Sequence, residues 1–279
     1  MQIPMPFRVV TLIAATLIAT VLATQLRAAD RARVEEFLEI TGFDVALDSI
    51  ELSASAAPAM LGLEEDAFGA DWVRLSKEVF APEIMRERAT DILSATLTDD
   101  LLDHANSFYA SDLGQRLVQA ENLAHYDDDE LIQEAGERIV SDLVRKGASR
   151  LDLFRRMNHA VDPQDIGPRA VQEIQVRFLV AASLSGVINL RIDEEGLRAL
   201  LKENESELRV EMAASALANS AYTYQQFSDD ELEAYTEALE HPDMQTVYEL
   251  MNAVHFEVMS NRFEVLARRM GELHPGEEL

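Results

Sequence analysis

Apolar residues recur every three or four positions through most of the chain, the spacing of one helix face. Val34, Phe37 and Leu38 share such a face behind Asp30, a residue suited to an N-cap, and Gly42 offers a stop after Ile40 and Thr41. Phe43, Val45, Leu47, Ile50 and Leu52 form a second apolar stripe, and "AAPAMLG" (56–62) reads as a connection. Trp72, Leu75, Val79 and Phe80 mark a third helix. Pro82 stands where a first turn tolerates proline, ahead of Ile84, Met85, Ile92 and Leu93. Thr98 caps a helix carrying Leu101, Leu102, Ala105 and Phe108. The pattern breaks at Ser111 and Asp112, Gly114 follows, and a new run carries Leu117, Ala120 and Ala124. Leu131, Ile139, Leu143 and Leu151 anchor the next helices, and "DPQDIGP" (162–168) is the clearest interior turn signal. "FLVAASLSGVINL" (178–190) is apolar nearly all round and predicts a helix buried on most sides. Its Ala182 and Gly186, four apart, would admit a close neighbour. No alternating run flanked by turns stands out, so the pattern predicts an all-α fold.

A shift of 130 residues sets Thr98 on Ser228 and aligns "LTDDLLDHANSFYASDLGQRLVQAENLAH" with "FSDDELEAYTEALEHPDMQTVYELMNAVH" without a gap. Asp99, Asp100, Leu102, Gln115, Asn122 and His125 meet Asp229, Asp230, Leu232, Gln245, Asn252 and His255. Both copies open on a hydroxyl N-cap, and Ser228 with Glu231 makes a capping box. Both break at the same place, where Ser111–Asp112 falls on His241–Pro242. Proline and aspartate both suit a first helical turn. The duplicated object is therefore a helix, a sharp corner and a second helix, with Ser111, Asp112, Gly114 and Pro242 as its corner residues. The expected organisation is two related helical repeats, 30–136 and 147–273, with a loose tail at 274–279.

The N-terminus departs from this pattern. Met1 to Arg8 is short and positive, "VVTLIAATLIATVLA" (9–23) is uncharged and apolar, and small residues follow. That order is the order of a secretory signal over 1–29, with cleavage after Ala23, Ala28 or Ala29. The apolar run is short for a membrane span, so no stable span is expected after cleavage. A periplasmic or secreted protein is expected, with an N-terminal anchor facing the periplasm as the alternative. Sparse Gly (11) and Pro (8) fit helices, and the formal charge of −27 argues against nucleic acid, whose phosphates need a basic surface. With no cysteine there is no thiolate zinc site, redox pair or lipidated cysteine.

Candidate chemistry is thin. "HYDDDE" (125–130) gathers an imidazole and four carboxylates, but consecutive aspartates point apart on a helix and no ligand spacing converges them. Asp99–Asp100 and Asp229–Asp230 sit in first turns, where acids serve the helix dipole rather than acid–base work. "SLSGV" is not a nucleophile elbow, and no phosphate-cradling glycine loop occurs. His104, His159, His241 and His274 are scattered along the chain. No catalytic, cofactor or metal residues are therefore assigned. Tyr222, Tyr224, Phe227 and Tyr235 cluster around the second N-cap and are the candidate interaction or ligand surface, set against the plainer reading that they close a core.

"FLEITGFD", the single Trp72 ahead of "EVFAPE" and above all "FYASDLGQRL" resemble the domain of unknown function 2059 family of exported bacterial proteins. Asp112 stands where that family usually has proline, which Pro242 supplies in the second copy, and Ile40 stands in a leucine position. The resemblance is best over 33–124, recurs more weakly over 197–273, and implies an exported all-helical domain with no established activity. The function expected is a non-enzymatic exported protein that binds a partner protein or itself. The alternative is a small apolar-ligand binder with a pocket between the repeats, near Phe178–Leu190 and the tyrosines.

Overall fold

The computed structural model describes residues 30–54, 57–62 and 69–273, so the signal at 1–29 and the tail at 274–279 lie outside the described residues. The fold is all-α, with no strand among the described residues. The longest helix, α15 (Pro242–Leu273), runs for 32 residues. It buries Met244, Val247, Met251, Val254, Val258, Phe263, Leu266 and Met270, which is more than one stripe. A helix apolar on several faces must be enclosed by neighbours. Here α5 (Gly69–Val79), α6 (Pro82–Thr96), α7 (Asp99–Tyr109) and α11 (Gly167–Leu184) surround it.

Phe263 shows how the enclosure works. Phe80, just past α5, meets it edge-on at 5.4 Å, and Phe178 of α11 meets it edge-on at 5.4 Å. Each such ring is worth about 1.5–3 kcal/mol of burial. Polar tethers set the register. Glu257 of α15 takes Arg88 of α6 at 2.8 Å and Arg177 of α11 at 3.0 Å. Arg177 also reaches Glu264 at 2.5 Å. Helices α11 and α15 run in the same direction, since Phe178 meets Phe263 and, further along both, Ser185 meets Gly271.

On one side, α1 (Arg31–Thr41) lies over α6 and α7, with Arg33 of α1 at 2.5 Å from Asp103 of α7 and also paired to Asp99. Asp30 holds the N-cap position but its side chain makes no cap bond, while Gly42 ends the helix in the left-handed region, as expected. On the other side, α9 (Asp129–Lys146) packs on α13 (Glu205–Thr223), and α10 (Arg150–Val161) packs on α14 (Asp229–Leu239). Most buried apolar residues of 30–136 and 147–273 belong to one continuous cluster, because α15 packs on α6 and α7 from the other range.

The helices that lead into the two corners begin and end alike. Helices α7 and α14 are 11 residues each. The Thr98 and Ser228 caps sit at φ/ψ of −84/155° and −72/162°, and the exits at Ala110 and Glu240 at −76/−5° and −74/−7°. The capping box of Ser228 and Glu231 is formed. The stretch 178–190 corrects one expectation. Helix α11 stops at Leu184, and Gly186, at φ 75°, turns the chain away. Val187 N–H donates to Ala182 O at 2.9 Å, which closes a left-handed stop. Gly186 is thus a terminator rather than a packing notch, and Leu184 is 85% exposed.

The real notch is Gly136 on α9. A Cβ there would stand 2.2 Å from the Ala218 carbonyl oxygen on α13, and backbone cannot swing aside. Gly136→Ala should therefore lose about 1–3 kcal/mol by overpacking, although alanine otherwise favours a helix over glycine. Chemical denaturation of the two chains checks this; equal or greater stability of the variant would show that α9 and α13 separate freely.

Candidate functional site

The first corner positions the site. Ser111 Oγ accepts the Gly114 N–H at 3.1 Å and starts α8 (Asp112–Ala124). Gly114 lets α8 fold tightly on the end of α7, since a Cβ there would stand 2.4 Å from Phe108 O. Helix α8 ends at Ala124, and Asp128 then caps α9 by accepting the Leu131 N–H at 3.0 Å. The end of α8 and the start of α9 thereby open onto one cleft of about 540 Å³. Ser49 and Ser53, before and on α3 (Ile50–Ser53), line it together with Asn219 and Thr223 of α13. Glu121, His125 and Asp129 line it too.

Glu121 lies over a floor of tyrosines. Its Oε1 accepts the hydroxyls of Tyr224 at 2.7 Å and Tyr235 at 2.9 Å. Behind them Tyr109 stands 3.3 Å from the Tyr235 hydroxyl, and Tyr248 is hydrogen-bonded to Tyr109. Burial pushes the Glu121 carboxyl above the usual range, against the two tyrosine donors that pull it down. Burial likewise holds Tyr109, Tyr224 and Tyr235 well above the ordinary phenol value. Both donors use Oε1, which leaves Oε2 for whatever enters the cleft. Phe108 stacks on Tyr235 at 5.6 Å and fixes the ring whose hydroxyl reaches Glu121.

A second depression of about 410 Å³ adjoins the first and shares Ala124 and Thr223 with it. It is lined by Arg116, Leu123, Asp127, Tyr222 and Phe227 among others. Tyr222 donates to Asp127 at 3.0 Å, and the Arg116 guanidinium lies 5.6 Å over the Phe227 ring. Large apolar side chains stay in solvent on these segments: Leu52 54%, Leu123 64%, Tyr126 60% and Leu131 50% exposed.

The four aromatic residues singled out from sequence divide. Tyr235 is core, Tyr224 spans core and cleft, and Tyr222 and Phe227 line the second depression. "HYDDDE" does not converge: His125 Nδ1 faces Ser49 Oγ at 3.4 Å, Asp127 takes Tyr222, and Asp128 caps α9. Asp99 and Asp229 sit in first turns and pair with Arg33 and Arg150. At the second corner His241 replaces Ser111, and its Nδ1 accepts the Asp243 N–H at 3.2 Å beside Pro242. His104 and His241, far apart in sequence, stack at 4.2 Å. Glu121, Tyr109 and Tyr248 escaped the sequence reading. The available signal was Glu121 itself, four residues after Leu117 and so on the buried stripe of α8.

The segment holding the corner, Glu121 and His125 is also the one that resembles a known family. Residues 83–142 match the family described as an uncharacterized protein conserved in bacteria (DUF2059). In this chain the DUF2059 match runs from α6 through the first corner into α9. No curated protein and no solved structure matches the chain. No helix of the described residues is long and apolar enough to cross a membrane.

Two histidines beside the cleft set an acid limit on the fold. Burial lowers His125, and burial together with the nearby His125 holds His255, which faces the Phe43 ring, at about 4. An unfolded histidine titrates near 6.5, so between these values the unfolded chain binds the extra proton and stability falls as pH falls. His255→Gln should remove on the order of 2–3 kcal/mol of the stability lost between pH 7 and pH 4. Denaturation midpoints of both chains at the two pH values check this, and an equal loss in both would remove His255 from the acid response.

Proposed function

We propose that the protein is an exported, non-enzymatic binding protein that holds a partner protein by a cationic side chain seated on Glu121. The observation that carries this reading is the Glu121 carboxylate, set on tyrosine hydroxyls with one oxygen free to the cleft. A lysine or arginine side chain would pair with it, and burial strengthens such a charge-assisted contact. Asp127 and Asp129 add negative charge beside it, and the net charge of −27 steers basic partners inward. Exposed Leu52, Leu123, Tyr126 and Leu131 supply apolar area for the segment flanking the cation. Ser49 beside His125 is a poor nucleophile, since its hydroxyl donates to the Ala46 carbonyl at 2.9 Å. The two corners, entered by helices of equal length with similar cap angles, are read as copies of one ancestral unit. The N-terminal pattern of 1–29 supports export.

A second reading rests on the cleft's volume, about 540 Å³, which suits a small molecule. Its lining makes that molecule an amine rather than an apolar ligand. A panel of short immobilised peptides, with and without Lys or Arg beside apolar residues, tests both against wild type and Glu121→Gln. The expected result is retention of basic–apolar peptides by wild type and loss of about 10–100-fold in affinity in the variant, the worth of a charge-assisted hydrogen bond. Equal binding by the two chains would overturn the seat at Glu121. A stoichiometric amine in native mass spectra of protein from its own compartment would decide for the second reading.

A further inference from the structure

The second corner assembles a group of ligand-bearing side chains that the cleft does not use. His104 lies on α7 and His241 and Asp243 lie at the start of α15. One ligand atom from each of the three lies within 4.8 Å of the other two. The two imidazoles are stacked at 4.2 Å with 29° between their planes, so their ring nitrogens can face the same way. His241 Nδ1 stands 3.8 Å from Asp243 Oδ2. It also accepts the Asp243 N–H at 3.2 Å, which places the lone pair on Nδ1 and the ring proton on Nε2.

We propose that His104, His241 and Asp243 form a zinc-type transition-metal site joining α7 to the start of α15. Donors 2.0–2.2 Å from a tetrahedral zinc ion stand about 3.3–3.6 Å apart. His241 and Asp243 are already close to that spacing at 3.8 Å, all three groups lie within 4.8 Å of one another, and His241 and Asp243 are exposed enough to close on an ion by side-chain rotation. Two imidazoles with one carboxylate select zinc, nickel or copper rather than calcium or magnesium, which take oxygen ligands. Three protein ligands leave a fourth position for water or for a group offered by a partner. His241 Nδ1 exchanges its N–H bond for the metal, and Pro242, with no N–H to satisfy, already opens that helix turn.

Loading would clamp the helix that carries Phe108 and Tyr109 to the helix that carries Tyr248. It would leave Glu121, at the cleft, untouched. The test uses the untagged chain, zinc chloride and isothermal titration, with metal analysis after dialysis. Stoichiometric zinc is expected, with affinity reduced at least about tenfold in His104→Gln and in Asp243→Asn. Glu121→Gln should bind zinc as wild type does, which separates this site from the cleft. X-ray absorption of the zinc-loaded wild type should show two imidazoles in the first shell, a readout independent of how any variant folds. No stoichiometric zinc, unchanged affinity in His104→Gln, or fewer than two imidazoles would overturn the assignment.

Discussion

A helix of 32 residues that is apolar on several faces cannot stand at the surface, and the arrangement of this protein follows from enclosing it. The neighbours of α15 come from both halves of the chain. Its first turns meet α7, its middle meets α6 and α11, and its end reaches α5, where Arg269 pairs with Glu78 at 2.6 Å. Non-polar contact drives the enclosure but is indifferent to register. Charged tethers supply that, and Glu257, shared by Arg88 and Arg177, fixes two neighbours with one carboxylate. Such half-exposed pairs add little energy and act mainly by excluding other registers.

Enclosure also has a polar consequence. Where α7, α8, α14 and α15 converge, large rings are needed to fill the space, and tyrosine fills it at the expense of a hydroxyl that requires a partner. Four such hydroxyls meet there, and Glu121 accepts two of them. A buried carboxylate is costly unless bonded, and tyrosines without an acceptor are costly too. The two requirements answer each other. The same set of bonds that satisfies the core leaves a partly desolvated acceptor at the base of a cleft, so the cleft's chemistry follows from the packing.

Local features were legible in the sequence. Thr98, Ser111 and Ser228 cap helices as their residue types imply, Pro82 opens α6, and Gly42 ends α1. Each depends on backbone chemistry within a few residues. What was not legible depends on partners. An apolar stripe says which face is buried but not against what, so the packing of α15 on α6 and α7 had no sequence signature. Gly186 was ambiguous between a notch and a stop, because both uses exploit the missing Cβ and only the surrounding chain decides. Glu121 looked like one acid among many in a chain of −27, although its place on the stripe of Leu117 set it apart. His104 and His241 are neighbours only because α7 packs on α15.

The two corners answer one backbone need with two chemistries. Both helices that leave a corner need their first N–H groups answered. Ser111 does so with a hydroxyl and His241 with a ring nitrogen. Where the first corner has Gly114 and brings backbone against backbone, the second has Met244, fully buried. The entry and exit angles of α7 and α14 are nearly the same, so the difference begins only past the exits. The capping position is then free to vary, provided it offers an acceptor. A histidine that meets this requirement brings an imidazole to a site where only a cap was needed, and there it stacks on His104.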